Sequence, residues 1–257
     1  MPKRALVLSG GGLFGAWQVG AWSVLRQHVT FDAIIGVSIG SLNGWAIAGG
    51  ATPEELTALW LDTARRGDNK LRIPRNPLDG ILDPTLFHEL ISSLYSRYQP
   101  RIEYHAVITD LLRLKPTLID GRELQPCHLE ASCALLGMLP QRRIGNTLYT
   151  DGGFLGALPL WAARQCHATH VVALNVMPRM PWPVRAVLKP LRGLRARPQK
   201  LSAENTLILS PSKPLGHLKQ GLLWKQAEIA RWIDVGRADA ESALANTNIP
   251  GQECFMA

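Results

Sequence analysis

No stretch of the sequence is long and apolar enough to span a bilayer, and no secretory leader is legible. Lys3 and Arg4 precede only Ala5–Leu8 before three glycines, a run better read as a buried strand. Cysteine is scarce. The four present, Cys127, Cys133, Cys166 and Cys254, contain no C-x-x-C and no Cys/His spacing of a zinc site. They read as buried free thiols in a reducing compartment, so a soluble cytoplasmic protein is expected. Charge is sparse at 19%, against 46% hydrophobic residues, which is enough for a sizeable core and excludes a disordered chain. There is no internal repeat and no domain boundary. Residues 1–257 are expected to form one domain.

Acidic residues are missing altogether between Arg179 and Lys200. Seven cations (Arg179, Arg185, Lys189, Arg192, Arg195, Arg197 and Lys200) stand there unopposed and carry most of the net charge of +8. Met180, Trp182 and five aliphatic residues are interleaved with them. As a helix, 184–195 would place Val184, Val187, Leu188, Leu191 and Leu194 at i, i+3, i+4, i+7 and i+10, with Arg185, Lys189 and Arg192 on a different face. That pattern suits peripheral docking on an anionic inner-membrane surface, with tryptophan at the interface. Pro190 and Gly193 weaken such a helix and leave a solvated basic loop as the other reading. No nucleic-acid-binding motif accompanies the charge, and no nucleic-acid partner is expected.

What is present is organised. Arg4–Ser9 reads as a central strand, Gly15–His28 as a helix, Ala33–Gly36 as a second strand and Ile39–Gly49 as a second helix, a βαβ beginning that implies an α/β sheet. Helices are expected from Pro53, with Thr52 as N-cap, and from about Pro84 to Tyr95, with a surface loop over 69–83 between them. Strand-like runs return at Tyr104–Thr109, Pro116–Asp120, Asn146–Thr150, His170–Val176 and Thr206–Ser210. A long amphipathic helix closes the pattern over about 218–245.

Gly10, Gly11, Gly12 and Gly15 lie where the first strand passes into the first helix. Unobstructed backbone N–H groups and a helix N-terminus make an anion site there. One reading is dinucleotide phosphate, since Gly10-x-Gly12-x-x-Gly15 fits G-x-G-x-x-G; the acidic residue expected at the end of the second strand is missing, however, because Asp32 precedes that strand. The other reading is an oxyanion hole, and Gly36-Val37-Ser38-Ile39-Gly40 favours it. This is G-x-S-x-G between strand and helix, with flanking glycines that permit a sharp turn lifting the Ser38 hydroxyl clear. Adjacent parallel strands would bring both loops to one sheet edge.

A serine nucleophile needs a base. None of His28, His88, His105, His128, His167, His170 and His217 sits in a turn- or glycine-rich context that singles it out. Asp151 does, opening Asp151-Gly152-Gly153 directly after a strand. A turn aspartate alone is usually structural.

In this order, Gly10-Gly11-Gly12-x-x-Gly15, Gly36-x-Ser38-x-Gly40 and Asp151-Gly152-Gly153 resemble the patatin-like phospholipase family. The stretch from Ala131-Ser132-Cys133-Ala134 through Pro140 to Asp151, and Pro159, look like the same family, and the similarity covers roughly residues 4–176. The resemblance implies a three-layer α/β/α sandwich around a mostly parallel sheet. It implies a Ser38–Asp151 dyad with no histidine, and an oxyanion hole from the backbone of Gly10, Gly11 and Gly12. The implied reaction is hydrolysis of fatty-acyl esters in phospholipids, lysophospholipids or neutral glycerides, with no metal or organic cofactor. Two positions depart from the family pattern: Phe14 replaces a cation before the last loop glycine, and Gly156 stands where asparagine often follows. Two other readings stay open. One is an esterase with a Ser–Asp–His triad drawing on His167, His170 or His217; the other is a non-catalytic lipid-binding protein.

Overall fold

The computed structural model describes residues 2–67, 70–178, 205–217, 220–222 and 224–246; the basic segment 179–200 lies outside them. Among the described residues eight strands form one sheet: β1 (Arg4–Leu8), β2 (Ala33–Val37), β3 (Glu103–Asp110), β4 (Lys115–Asp120), β5 (Arg142–Ile144), β6 (Thr147–Asp151), β7 (His170–Leu174) and β8 (Thr206–Leu209). Seven α-helices accompany them: α1 (Gly15–Leu25), α2 (Ile39–Ala48), α3 (Pro53–Arg65), α4 (Thr85–Arg97), α5 (Pro126–Ser132), α6 (Leu160–Gln165) and α7 (Gln226–Asn246). The strand order is β5-β6-β3-β2-β1-β7-β8, with β4 also paired to β3. From β3 through β8 the pairs are parallel, while β4, β5 and β6 pair antiparallel.

Period-two alternation splits the strand side chains between two cores. Leu6, Leu8, Ile34, Val172 and Leu174 enter the larger one, shared with α1, α2, α3, α4 and α7; Ala5, Val7, Ala33, Ile35, Val37, Val171 and Ala173 enter a smaller one closed by α6. Strands buried on both faces are aliphatic throughout, as central parallel strands must be. The result is the expected α/β/α sandwich. At its N-terminus α3 carries the expected cap, with Thr52 and Glu55 bonding reciprocally.

The short β5, α5 and α6 were not anticipated. Each is too brief to show a period, and α5 and α6 draw their burial from neighbours. The final helix begins later than its amphipathic pattern suggested, at Gln226.

Helix α1 is buried along its entire length, because α7 crosses it in contact with its backbone. A Cβ on Gly20 would lie 1.9 Å from the Ile233 carbonyl oxygen, and one on Gly236 would lie 2.1 Å from that of Trp17. Trp17 Nε1 donates to Asp239 Oδ2 at 2.7 Å across the same crossing.

One detail of the sheet sets up the site. Strand β2 pairs with Glu103–Val107 of β3, β6 pairs with Ile108–Asp110, and β4 covers the opposite edge from His105 to Asp110. Thus β2 and β6 lie end to end on one edge of β3 and point at each other. Val37 stands opposite Val107, and Asp151 opposite Ile108.

Gly236→Ala is expected to force α1 and α7 apart and to lower unfolding free energy by about 1–3 kcal/mol in urea titration. Gly156→Ala, where an added Cβ meets nothing within 4 Å, is expected to change it by less than about 0.5 kcal/mol.

Candidate active site

The residue after β2 is Ser38, with φ 53° and ψ −130°. A non-glycine residue holds this backbone only when its surroundings impose it. The constraint is the tightness of the strand-to-helix turn. A Cβ on Gly36 would lie 2.3 Å from the Gly40 carbonyl oxygen, and one on Gly40 would lie 2.6 Å from the carbonyl oxygens of both Leu8 and Ser9. Both elbow glycines are therefore sterically required. The turn delivers Ser38, half-buried, to the N-terminus of α2, where the helix dipole favours negative charge.

Asp151 arrives from the opposite direction as the last residue of β6. It is buried beside the Ser38 hydroxyl, and its carboxylate accepts a hydrogen bond from the Gly153 N–H at 2.6 Å. Burial pushes its pKa up to about 6, while the neighbouring Ser38 hydroxyl and the Gly153 N–H pull it down. Gly152 is fixed by close approach, since a Cβ there would lie 2.0 Å from the Val107 carbonyl oxygen.

Ser132, at the end of α5, ties the two strands together. Its hydroxyl accepts from the Ser38 N–H at 3.0 Å and donates to the Val107 carbonyl at 2.7 Å, and its own carbonyl accepts from the Gly152 N–H at 3.1 Å. Next to it the Cys133 thiol lies against Ser38 and Ser41, kept protonated chiefly by burial. The sequence marks Ala131–Ala134 as family-like but gives neither residue a role. Both roles arise from contacts distant in sequence.

The glycine loop lies on the other side of the serine. A Cβ on Gly10 would come within 3.2 Å of Ser38 Cβ. The Gly10 N–H donates to the Ala157 carbonyl at 2.9 Å. The N–H groups of Gly11 and Gly12 have no partner among the described residues. Gly12 has φ +59° and is covered by Gly221, whose carbonyl oxygen a Cβ would meet at 2.5 Å; Gly15 is packed under Ile39. Phe14 points inward, edge-on to Trp232 with ring centroids 4.9 Å apart. The departure at this position exchanges a charge for core packing.

Beneath the loop runs a buried polar chain. Trp60 Nε1 donates to Asn43 Oδ1 at 2.9 Å, and Asn43 Nδ2 donates to Gln18 Oε1 at 3.0 Å. Gln18 Nε2 in turn donates to the Ser9 carbonyl at 2.8 Å. It fixes the start of the glycine loop to three helices, and no sequence pattern announces it.

The histidines lie elsewhere. His170 opens β7 opposite Arg4, at the end of the sheet away from Ser38; strand rise puts it about 20 Å off. His167 precedes it at the same end. His217 is exposed, and no histidine among the described residues bonds to Ser38 or Asp151. Asp32 also sits at that far end, accepting from the Arg4 N–H at 2.7 Å, so it cannot serve a dinucleotide at the glycine loop. Glu103, His105 and Cys166 bring potential metal-ligating atoms within 4.8 Å of one another there, a grouping that sequence spacing did not suggest. The Lys3 ammonium occupies that cluster, 2.6 Å from Glu103 Oε2.

Comparison with known proteins shows the family and the fold. The profile of the family described as patatin-like phospholipase matches residues 6–164. An uncharacterized NTE family protein of Mycobacterium tuberculosis is 28% identical over 180 residues, spanning 68% of this chain and 49% of that protein. Patatin-like phospholipase domain-containing protein 7 of Rattus norvegicus is 28% identical over 67% of this chain and 13% of its own length. Lysophospholipase NTE1 of Debaryomyces hansenii is 25% identical over 66% and 12%. The matched region thus spans about half or less of each of these relatives. Among solved structures, VipD from Legionella pneumophila superposes over 95% of this chain and 67% of its own, with a TM-score of 0.51 at 10% identity, a likeness of fold. The chain belongs to the patatin-like phospholipase family.

Proposed function

We propose that the protein is a serine hydrolase of fatty-acyl esters in phospholipids, lysophospholipids or neutral glycerides, acting through Ser38 and Asp151. The observation that carries this reading is the meeting of Ser38, at the end of β2, with the buried Asp151 carboxylate, at the end of β6, on one edge of β3 where the glycine loop also arrives. The names of the relatives, a phospholipase domain-containing protein and a lysophospholipase, support the substrate class.

Ser38 Oγ attacks the ester carbonyl carbon as its proton passes to Asp151. The negative charge that develops on the carbonyl oxygen is met by the N–H groups of Gly11 and Gly12, each such donor being worth about 10²–10³ in rate. Collapse of the tetrahedral intermediate breaks the ester C–O bond, and Asp151 returns the proton to the departing alcohol. Water, deprotonated by Asp151, then cleaves the acyl-Ser38 ester and regenerates the serine. An ordinary aspartate, with pKa near ~3.9, is a feeble base; burial raises this one to about 6 and so strengthens it. Phe14 removes a cation from the loop, which leaves the dyad untouched. The basic segment 179–200, which lies outside the described residues, is proposed from its composition to contact anionic membrane at the cytoplasmic face.

Ser38→Ala and Asp151→Asn are each expected to lower hydrolysis of a short p-nitrophenyl ester by at least about 10³-fold. His167→Ala, His170→Ala and His217→Ala should leave it within about twofold of wild type. An active Asp151→Asn protein would overturn the dyad.

The base must be ionised to work, so kcat/KM should rise through one ionisation near pH 6 and at pH 5 stand at about a tenth of its plateau. The same shift has a stability consequence of opposite sense. A carboxyl whose folded pKa is raised stabilises the fold relative to its ionised state only while protonated, and that contribution is lost as pH rises through about 6. Asp151→Asn should therefore be more stable than wild type at pH 8, by something on the order of 2–3 kcal/mol. The advantage should vanish near pH 4, as chemical denaturation at the two pH values would show.

A further inference from the structure

Nine large apolar side chains stand exposed among the described residues, and six of them fall on two loops: Leu71, Ile73, Leu78 and Ile81 on the first, Leu135 and Leu136 on the second. Ile73 is 94% exposed and Leu71 75%. The two loops are one surface. Ile81 N–H donates to the Gly137 carbonyl at 3.2 Å, Leu82 N–H to that of Met138 at 2.9 Å, and Gln141 N–H to that of Leu78 at 2.8 Å. Loop 70–83 is held in shape by the Arg72–Asp79 ion pair at 2.7 Å, so the exposure of its aliphatic residues belongs to a built loop.

This surface adjoins the site. The second loop leaves directly from Ala134, whose carbonyl accepts from the Asp151 N–H at 3.0 Å and from Thr150 Oγ1 at 3.1 Å. Leu112, 77% exposed, follows β3 at the same end of the sheet. Lys70, Arg75 and Arg143 are exposed on or beside the two loops and enter no ion pair among the described residues. The loop carboxylates, by contrast, are engaged locally: Asp79 by Arg72, and Asp83 by the hydroxyl and N–H of Thr85. Aliphatic residues bordered by exposed cations match an anionic lipid surface, whose headgroups meet the charges while the acyl boundary receives the side chains.

We propose that loops 70–83 and 134–143 form an interfacial face that seats the protein on anionic membrane with the Ser38 site toward the lipid. This deepens the hydrolase reading by making an aggregated lipid the substrate form, and it is separate from any contact made by residues 179–200. No step of the chemistry runs through these loops, so binding and hydrolysis can be separated.

The test uses the full chain and sedimentation with phosphatidylcholine vesicles, with and without phosphatidylglycerol. Wild type should bind the anionic vesicles. Leu71→Ser/Ile73→Ser should weaken that binding by about tenfold or more, and Arg75→Gln/Arg143→Gln should reduce the preference for phosphatidylglycerol. Both variants should hydrolyse a soluble short-chain ester as wild type does, which also shows that they fold. If no protein hydrolyses the ester, yet wild type binds the vesicles and a Leu71→Ser/Ile73→Ser protein with wild-type circular dichroism does not, the docking face stands and the hydrolase reading falls. The proposal is overturned if wild type ignores anionic vesicles, or if Leu71→Ser/Ile73→Ser binds them undiminished while neutralising the 179–200 cations abolishes binding. It is equally overturned if those two substitutions instead dissolve a self-association seen by light scattering.

Discussion

The edge of β3 is shared by two strands that meet head-on, and the site depends on that meeting. Parallel β2 uses the lower part of the edge and antiparallel β6 the upper part, so the chain ends of both strands are driven to one point. The space left between Val37 and Asp151 is filled by a serine in a left-handed conformation and by a carboxylate shut away from water. Each depends on the other. Without β6 the elbow would face solvent, and without the elbow Asp151 would be a buried charge with only the Gly153 N–H to oppose it. Ser132 bolts the joint by bonding to β2's exit, to β3 and to Gly152 at once.

The same economy governs the glycine loop. Its start is held by the chain from Trp60 through Asn43 and Gln18 to the Ser9 carbonyl, in which each polar group inside the larger core has a partner. Its far side is closed by Gly221 and by Phe14 stacked edge-on to Trp232. The loop therefore does not rely on a ligand to define its shape. Preorganised donors of this kind are what an oxyanion requires, because groups already in place need not reorganise as charge develops. The close passage of α7 over α1 through Gly20 and Gly236 brings Trp232 to Phe14, and so reaches the site from the last helix.

Burial of Asp151 sets stability against chemistry. The environment that raises its pKa to about 6 makes it a stronger base and a less comfortable anion. The exposed aliphatic face beside it sits on loops joined to this network through the Ala134 carbonyl and through the pairing of Arg142 and Arg143 with β6.

Local residue order was enough for several features. The aliphatic runs at 4–9 and 33–36 and the glycines after them specify strand, turn and helix by backbone sterics and by burial on both faces. Thr52 and Glu55 announce a cap because the bonds they make span three residues. The three motifs together identify the family and name Ser38 and Asp151, since the elbow glycines are demanded by contacts that any tight turn of this kind must make. What the sequence could not hold was anything decided by residues brought together from far along the chain. The Gly10 N–H bonds to Ala157, Ser132 becomes the joint between Ser38 and Asp151, Cys133 lies beside them, and His170 lies at the far end of the sheet. Conformation within a turn or strand follows from local sterics and periodicity, whereas hydrogen-bond partnership, burial and pKa belong to the packed sheet, and only the tertiary structure decided them.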